Sequence, residues 1–297
     1  MGRPKILEDA IEKLYVAFAS YPLAKDTKPC SCCHSPAAND LLHAKPLREL
    51  GWQHLSEYSV EAMNVWGGLD DYKHFLPRIF DLLLSNPRWP GEAPNPESVF
   101  GGFRRGDWRA WPIPEQSAIE EMLRAIWEAV LSNPPIEGGY IDVEMWLCCI
   151  SQCEVDISSY LAQWMKDERL SSSWALSSLI LGGEIQYVGD DHIRPAWEDS
   201  EAWRTRIQEW SDLPHRGAFW DDCWRQYAQL QEFLKTPAVI QKLSSAEMDS
   251  ASSSEMKREF ATARQCLLEV ETTKFERIYR NRKFQTAFWE SPTYRLF

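Results

Sequence analysis

The stretch Tyr58–Leu84, YSVEAMNVWGGLDDYKHFLPRIFDLLL, reads as a glycine-containing turn followed by an amphipathic helix. Its apolar side chains recur at i, i+1, i+4, i+5 and i+8, which places them on one helical stripe: Phe75, Leu76, Ile79, Phe80 and Leu83. Gly67 and Gly68 mark the turn. Asp70 and Asp71 follow at the expected start of the helix, where the unpaired backbone N–H groups and the positive end of the helix dipole stabilise carboxylates. We expect the remaining helices to pack around this one.

Three polar residues fall on the side of this helix opposite the apolar stripe: His74, Arg78 and Asp81. Pro77 does not fit the pattern, because proline removes one backbone donor and its ring crowds the carbonyl four residues earlier. The sequence therefore predicts either a kink at Pro77 or a helix that restarts there.

This stretch resembles a pattern found in a family of bacterial helical proteins. The resemblance rests on the following residues: Tyr58, Ala62, Trp66, Gly67, Asp71 and the run His74, Phe75, Leu76, Pro77 and Arg78. Members of that family begin with a cysteine cluster similar to Cys30, Cys32 and Cys33, and the similarity covers about the first third of the chain. Some members are encoded near polymorphic toxins, so the resemblance implies an immunity or accessory role. It assigns no functional residue.

The composition predicts a folded chain without membrane spans. Fifteen Trp, twelve Phe and ten Tyr are too many aromatic residues for a disordered protein. No run of about 18 apolar residues occurs, as a membrane-spanning helix requires. The first fifteen residues contain acidic side chains and no signal-peptide core. We therefore expect a cytoplasmic protein with no membrane partner.

The net charge restricts the class of partner. Lys and Arg number 32 and Asp and Glu 44, which gives a formal net charge of −12. Such a surface repels a phosphate backbone and attracts basic molecules, so we expect a basic protein partner and no nucleic acid. The basic residues within 274–283 could contact an acidic molecule, although a solvated helix face paired with neighbouring glutamates also explains them.

Helical periodicity continues through most of the chain and predicts an all-α fold, a compact multi-helix array. The segment 119–130 has the clearest period, and IFDLLLSNP at 79–87 aligns with IWEAVLSNP at 126–134. The offset of 47 residues lies within the range of paired-helix solenoid repeats, roughly 40 to 47. Solenoid-like helix pairs therefore remain open, although Asn-Pro is also a common helix stop.

We expect one domain, residues 1–297, with subdivision near 135–140 or 190–196 as an alternative. Three segments interrupt the helical pattern. Residues 85–114 contain six prolines and predict a long irregular excursion pinned by aromatic side chains. Residues 184–193 resemble a short strand or hairpin, and the serine-rich 244–254 predicts a mobile linker.

Cys30, Cys33 and His34 form the candidate metal site. Thiolate and imidazole ligands close together suit structural zinc, and Cys30 and Cys33 have the required separation. The second ligand pair of a zinc knuckle could come only from the following residues: His34, His43, His54 or the distant Cys148, Cys149 and Cys153. Ordinary thiols are the competing explanation. Apart from this candidate zinc, the sequence predicts no cofactor.

Two further clusters could carry chemistry. Asp70, Asp71 and His74 could act as a carboxylate and base pair on one helix, although capping and a surface histidine also explain them. Asp190, Asp191 and His192 could bind a cation or form an ordinary turn. No phosphate-binding loop, dinucleotide fingerprint, zinc-protease motif or nucleophile elbow occurs.

These patterns favour a binding protein without catalytic residues. The leading hypothesis is an immunity protein that neutralises a basic toxin or effector by stoichiometric contact. The alternatives are a helical enzyme built from dispersed residues such as Asp71, His74 and Arg78, and an adaptor for a secreted toxin.

Overall fold

The fold is given by a computed structural model that describes residues 3–23, 27, 30, 36–85, 96–132, 143–154, 156–185 and 223–269. Regular structure in these ranges is helical, with one isolated bridge between Ala62 and Trp66. The all-α prediction is confirmed. The α-helices are α1 (Lys5–Ala17), α2 (Pro36–Leu42), α3 (Trp52–Glu61), α4 (Leu69–Leu83), α5 (Pro96–Arg105), α6 (Ile113–Ser132), α7 (Val143–Cys153), α8 (Ser158–Lys166), α9 (Leu170–Ile185), α10 (Trp224–Leu234), α11 (Pro237–Met248) and α12 (Ser254–Glu269).

The residues group into two compact units, Met1–Glu154 and Val155–Phe297. We call them unit 1 and unit 2. The two alternative subdivisions predicted from the sequence, 135–140 and 190–196, lie outside the described residues. The single-domain arrangement stays a prediction.

The start of α4 is fixed by a turn that only glycine adopts without strain. Gly67 has φ +67°, in the left-handed region. The next residue, Gly68, donates its N–H to the Asp71 carboxylate at 2.9 Å, which satisfies one donor that the helix leaves unpaired. The capping role predicted for the acidic pair is therefore confirmed at Asp71.

Helix α4 runs without interruption through Pro77. The prediction that a helix restarts at Pro77 is wrong. Pro77 is buried among the apolar residues of α4, where packing of the ring offsets the backbone hydrogen bond that proline cannot make.

Unit 1 has an aromatic core on the apolar side of α4. Phe80 lies 5.1 Å from Phe100 and 5.2 Å from Phe103, measured between ring centroids. Helix α5, which carries Phe100 and Phe103, occupies part of the segment predicted to be irregular, so that prediction is wrong for Pro96–Arg105. The predicted aromatic pins are buried as expected at Phe100, Phe103, Trp108 and Trp111, whereas Trp89 lies outside the described residues.

Helix packing in unit 1 joins elements that are distant in the sequence. Helix α1 packs extensively against α6, and α5 packs against α7. In a solenoid each repeat contacts only its neighbours. The α1–α6 contact skips four intervening helices, so the solenoid-like pairing gains no support from it.

Unit 2 contains a group in which α12 packs against both α9 and α11. The segment predicted to be a mobile linker is an ordered helix end and turn. Ser252 is buried and donates its hydroxyl to the Ala246 carbonyl at 2.6 Å, and Asp249 accepts the Ala251 N–H at 2.8 Å. Serine and aspartate side chains stabilise turns in this way, which explains why a low-complexity composition here is ordered.

The strand or hairpin predicted at 184–193 meets a different outcome. Helix α9 continues to Ile185 through Gly182 and Gly183. The predicted strand-like stretch therefore begins inside a helix, and residues 186–193 lie outside the described part of the chain.

Candidate functional site

The candidate site is the polar row of α4, which we define as Asp71, Lys73, His74, Arg78 and Asp81. It contains all three residues that the sequence proposed for a dispersed active site. Each member contacts a segment distant in the chain.

Asp71 is buried at the start of α4 and both of its carboxylate oxygens are occupied. One accepts the Thr27 hydroxyl at 2.7 Å and the other accepts the Gly68 N–H at 2.9 Å. Thr27 is itself buried. A carboxylate held in this way caps the helix and ties residue 27 to it.

Lys73 forms a buried ion pair with Glu115 of α6. The two charged groups are 2.8 Å apart, with 5% and 6% of their side chains exposed. The Tyr21 hydroxyl bridges them, since it accepts from Lys73 at 3.0 Å and donates to Glu115 at 2.6 Å. The ammonium also lies 4.5 Å from the centroid of the Trp111 ring, which favours the cation.

Burial alone would lower the pKa of Lys73, but its hydrogen bonds to Glu115 and Tyr21 and the charge of Glu115 raise it above the ordinary lysine value. Lys73 therefore stays charged at neutral pH. A charged lysine is a poor nucleophile and a poor base, so this pair suits a structural role.

His74 is half-buried and points its ring to the loop that follows α1. Its Nδ1 lies 2.7 Å from the Tyr21 carbonyl oxygen. Because a carbonyl oxygen only accepts, Nδ1 carries the proton and donates it. The ring also meets Phe75 edge-on, with centroids 4.9 Å apart. This histidine therefore positions the loop at Tyr21.

Arg78 and Asp81 hold the last turns of α4 to other segments. Arg78 donates through Nε to the Leu50 carbonyl at 2.6 Å and through Nη1 to Asp81 at 2.6 Å. Arg3 donates to the other Asp81 oxygen at 2.7 Å, and the Tyr15 hydroxyl donates to the first at 3.1 Å. Burial alone would raise the pKa of Asp81, but the hydrogen bonds from Arg3 and Arg78 lower it below the ordinary carboxyl value.

The polar row therefore does not form a joint catalytic group. Asp71 binds Thr27 and Gly68, whereas His74 binds the Tyr21 carbonyl. Arg78 binds the Leu50 carbonyl and Asp81. An acid–base pair needs its members within hydrogen-bonding reach of one reacting group. The geometry instead cross-links α4 to segments of unit 1 that are distant from it in the chain.

The predictions made from the sequence do not include the two most buried charged members of this network, Lys73 and Glu115. A usable signal exists at Lys73, because it is flanked by Tyr72 on one side and by Phe75 and Leu76 two and three residues later. A lysine within such an apolar run predicts a buried partner of opposite charge.

The candidate zinc site is only partly described. Cys30 is half-buried and donates its backbone N–H to the Val65 carbonyl at 2.7 Å, which fixes it beside the turn before α4. Cys33 and His34 lie outside the described residues. Within the described ranges, no group of three or more His, Cys, Asp or Glu side chains is arranged to hold a metal ion. Zinc at Cys30, Cys33 and His34 stays a prediction, and the second cation candidate, 190–192, also lies outside the described residues.

The loop tryptophans of unit 1 anchor their loop to the core. Trp108 donates its indole N–H to the Cys153 carbonyl at 3.1 Å, and Trp111 donates to the Gly106 carbonyl at 2.7 Å. Both side chains are buried. A buried tryptophan with a satisfied N–H anchors a loop and leaves little ring surface for a ligand. The prediction that aromatic side chains pin this segment is confirmed for Trp108 and Trp111.

Unit 2 has an open groove of about 520 Å³ between α8 and α10. Its floor is apolar, formed by Leu161, Met165, Ala228 and Phe233, and Phe233 stacks on the buried Trp164 with centroids 5.9 Å apart. The volume falls within the range of small-molecule sites, about 300 to 1,000 Å³. None of the residues proposed from the sequence lines it.

Comparisons with protein-family models, curated proteins and solved structures find no match to this chain. The resemblance to a family of bacterial helical proteins therefore stays a prediction. Among the described helices, none has the length and apolar composition needed to cross a membrane.

Proposed function

We propose that this protein binds a basic protein partner, a toxin or effector, and neutralises it by stoichiometric contact. In this role it is an immunity protein of the bacterial cytoplasm. The observation that supports the proposal most is its formal net charge of −12. A potential of that sign accelerates encounter with basic proteins and disfavours nucleic acid.

The polar row makes its hydrogen bonds and ion pairs within the protein, and this also supports the proposal. The residues on which an enzyme hypothesis would depend are engaged in contacts that maintain the fold, namely capping at Asp71 and loop positioning at His74.

The test begins with gentle purification of the tagged protein from its own host. A basic protein should copurify, its expression alone should arrest growth, and coexpression of this protein should restore growth. Growth arrest that persists despite coexpression would contradict neutralisation.

The His74→Ala variant separates binding from catalysis. Loss of the hydrogen bond to the Tyr21 carbonyl should lower the free energy of unfolding by about 1 kcal/mol and leave growth protection intact. If the variant stays folded but no longer protects, a catalytic role for His74 replaces the binding proposal.

A further inference from the structure

We draw no further inference here: the strongest candidate, the open apolar groove between α8 and α10 of unit 2, carries nothing because no feature of the described residues shows what covers it.

Discussion

Helix α6 takes part in two lysine–glutamate pairs that differ almost completely in their surroundings. Near its start, Glu115 meets Lys73 of α4 with about one-twentieth of each side chain exposed. Farther along, Glu121 meets Lys13 of α1 with 39% and 58% of the side chains exposed. Aromatic rings lie around the first pair, whereas the second pair is partly exposed to solvent.

The difference indicates which charged groups of this molecule are available to bind a partner. A buried pair is fixed by the desolvation that each partner would suffer alone, so it cannot be released to a ligand. An exposed pair gains little from its own contact and can exchange partners. The polar row therefore maintains the fold, and the outer charges remain adaptable for binding.

The largest expected effect comes from breaking the buried pair on one side only. Lys73→Ala leaves Glu115 buried without its cation and should lower the free energy of unfolding by about 3–5 kcal/mol. Urea unfolding followed by far-UV circular dichroism measures the change.

A double variant sharpens this result. Lys73→Met with Glu115→Leu removes both charges together and should restore most of the loss, because no unpaired charge remains. If Lys73→Ala costs no more than an exposed substitution, the pair is not buried in solution and the comparison fails.

The next effect concerns two adjacent glycines of α5. A Cβ at Gly102 would meet the Tyr72 hydroxyl at 2.5 Å, and Tyr72 is fully buried on α4. Gly102→Ala should therefore destabilise by about 1–3 kcal/mol. A Cβ at Gly101 meets only the flexible end of Arg105 at 3.3 Å, so Gly101→Ala should be neutral or stabilise by up to about 1 kcal/mol. Thermal unfolding of both variants checks the expected difference in sign.

A smaller effect depends on pH at Asp81. In the folded protein its pKa is lowered from the ordinary 3.8. Its contribution to the free energy of unfolding is therefore fully present above that value and is lost as pH falls through the lower folded pKa. Asp81→Asn should cost about 1–2 kcal/mol at pH 7, as loss of charged hydrogen bonds does. The gap between wild type and variant should close below about pH 3.8, measured by urea unfolding across pH. A gap that widens with acid would contradict the assignment.

The amphipathic helices were predictable because their period is a local property of the sequence. Asp71 as a cap, the stripe of α4, and the pins Trp108 and Trp111 follow from neighbours within a few residues. Pro77 was misjudged because tertiary burial of its ring offsets the local loss of a hydrogen bond.

The contacts of the polar row were not predictable, because they join positions far apart in the chain. Tyr21 and Glu115 are 94 residues apart, and Arg3 and Asp81 are 78 apart. No period or spacing in one sequence reveals such pairs. The apolar run around Lys73 predicts a buried partner of opposite charge, but it does not identify Glu115 as that partner.

The smallest effect is expected at the exposed pair. Lys13→Ala should change the free energy of unfolding by no more than about 0.5 kcal/mol, and the change should shrink further in high salt. The same urea titration used for Lys73→Ala gives a direct contrast between the two pairs. A loss comparable to that of Lys73→Ala would remove the distinction between them.

The most direct test of the central claim is native mass spectrometry of the tagged protein purified gently from its own host. The account predicts a species whose mass equals one copy of this chain plus one copy of a basic protein, because neutralisation by contact is stoichiometric. A spectrum that contains only the isolated chain would contradict it.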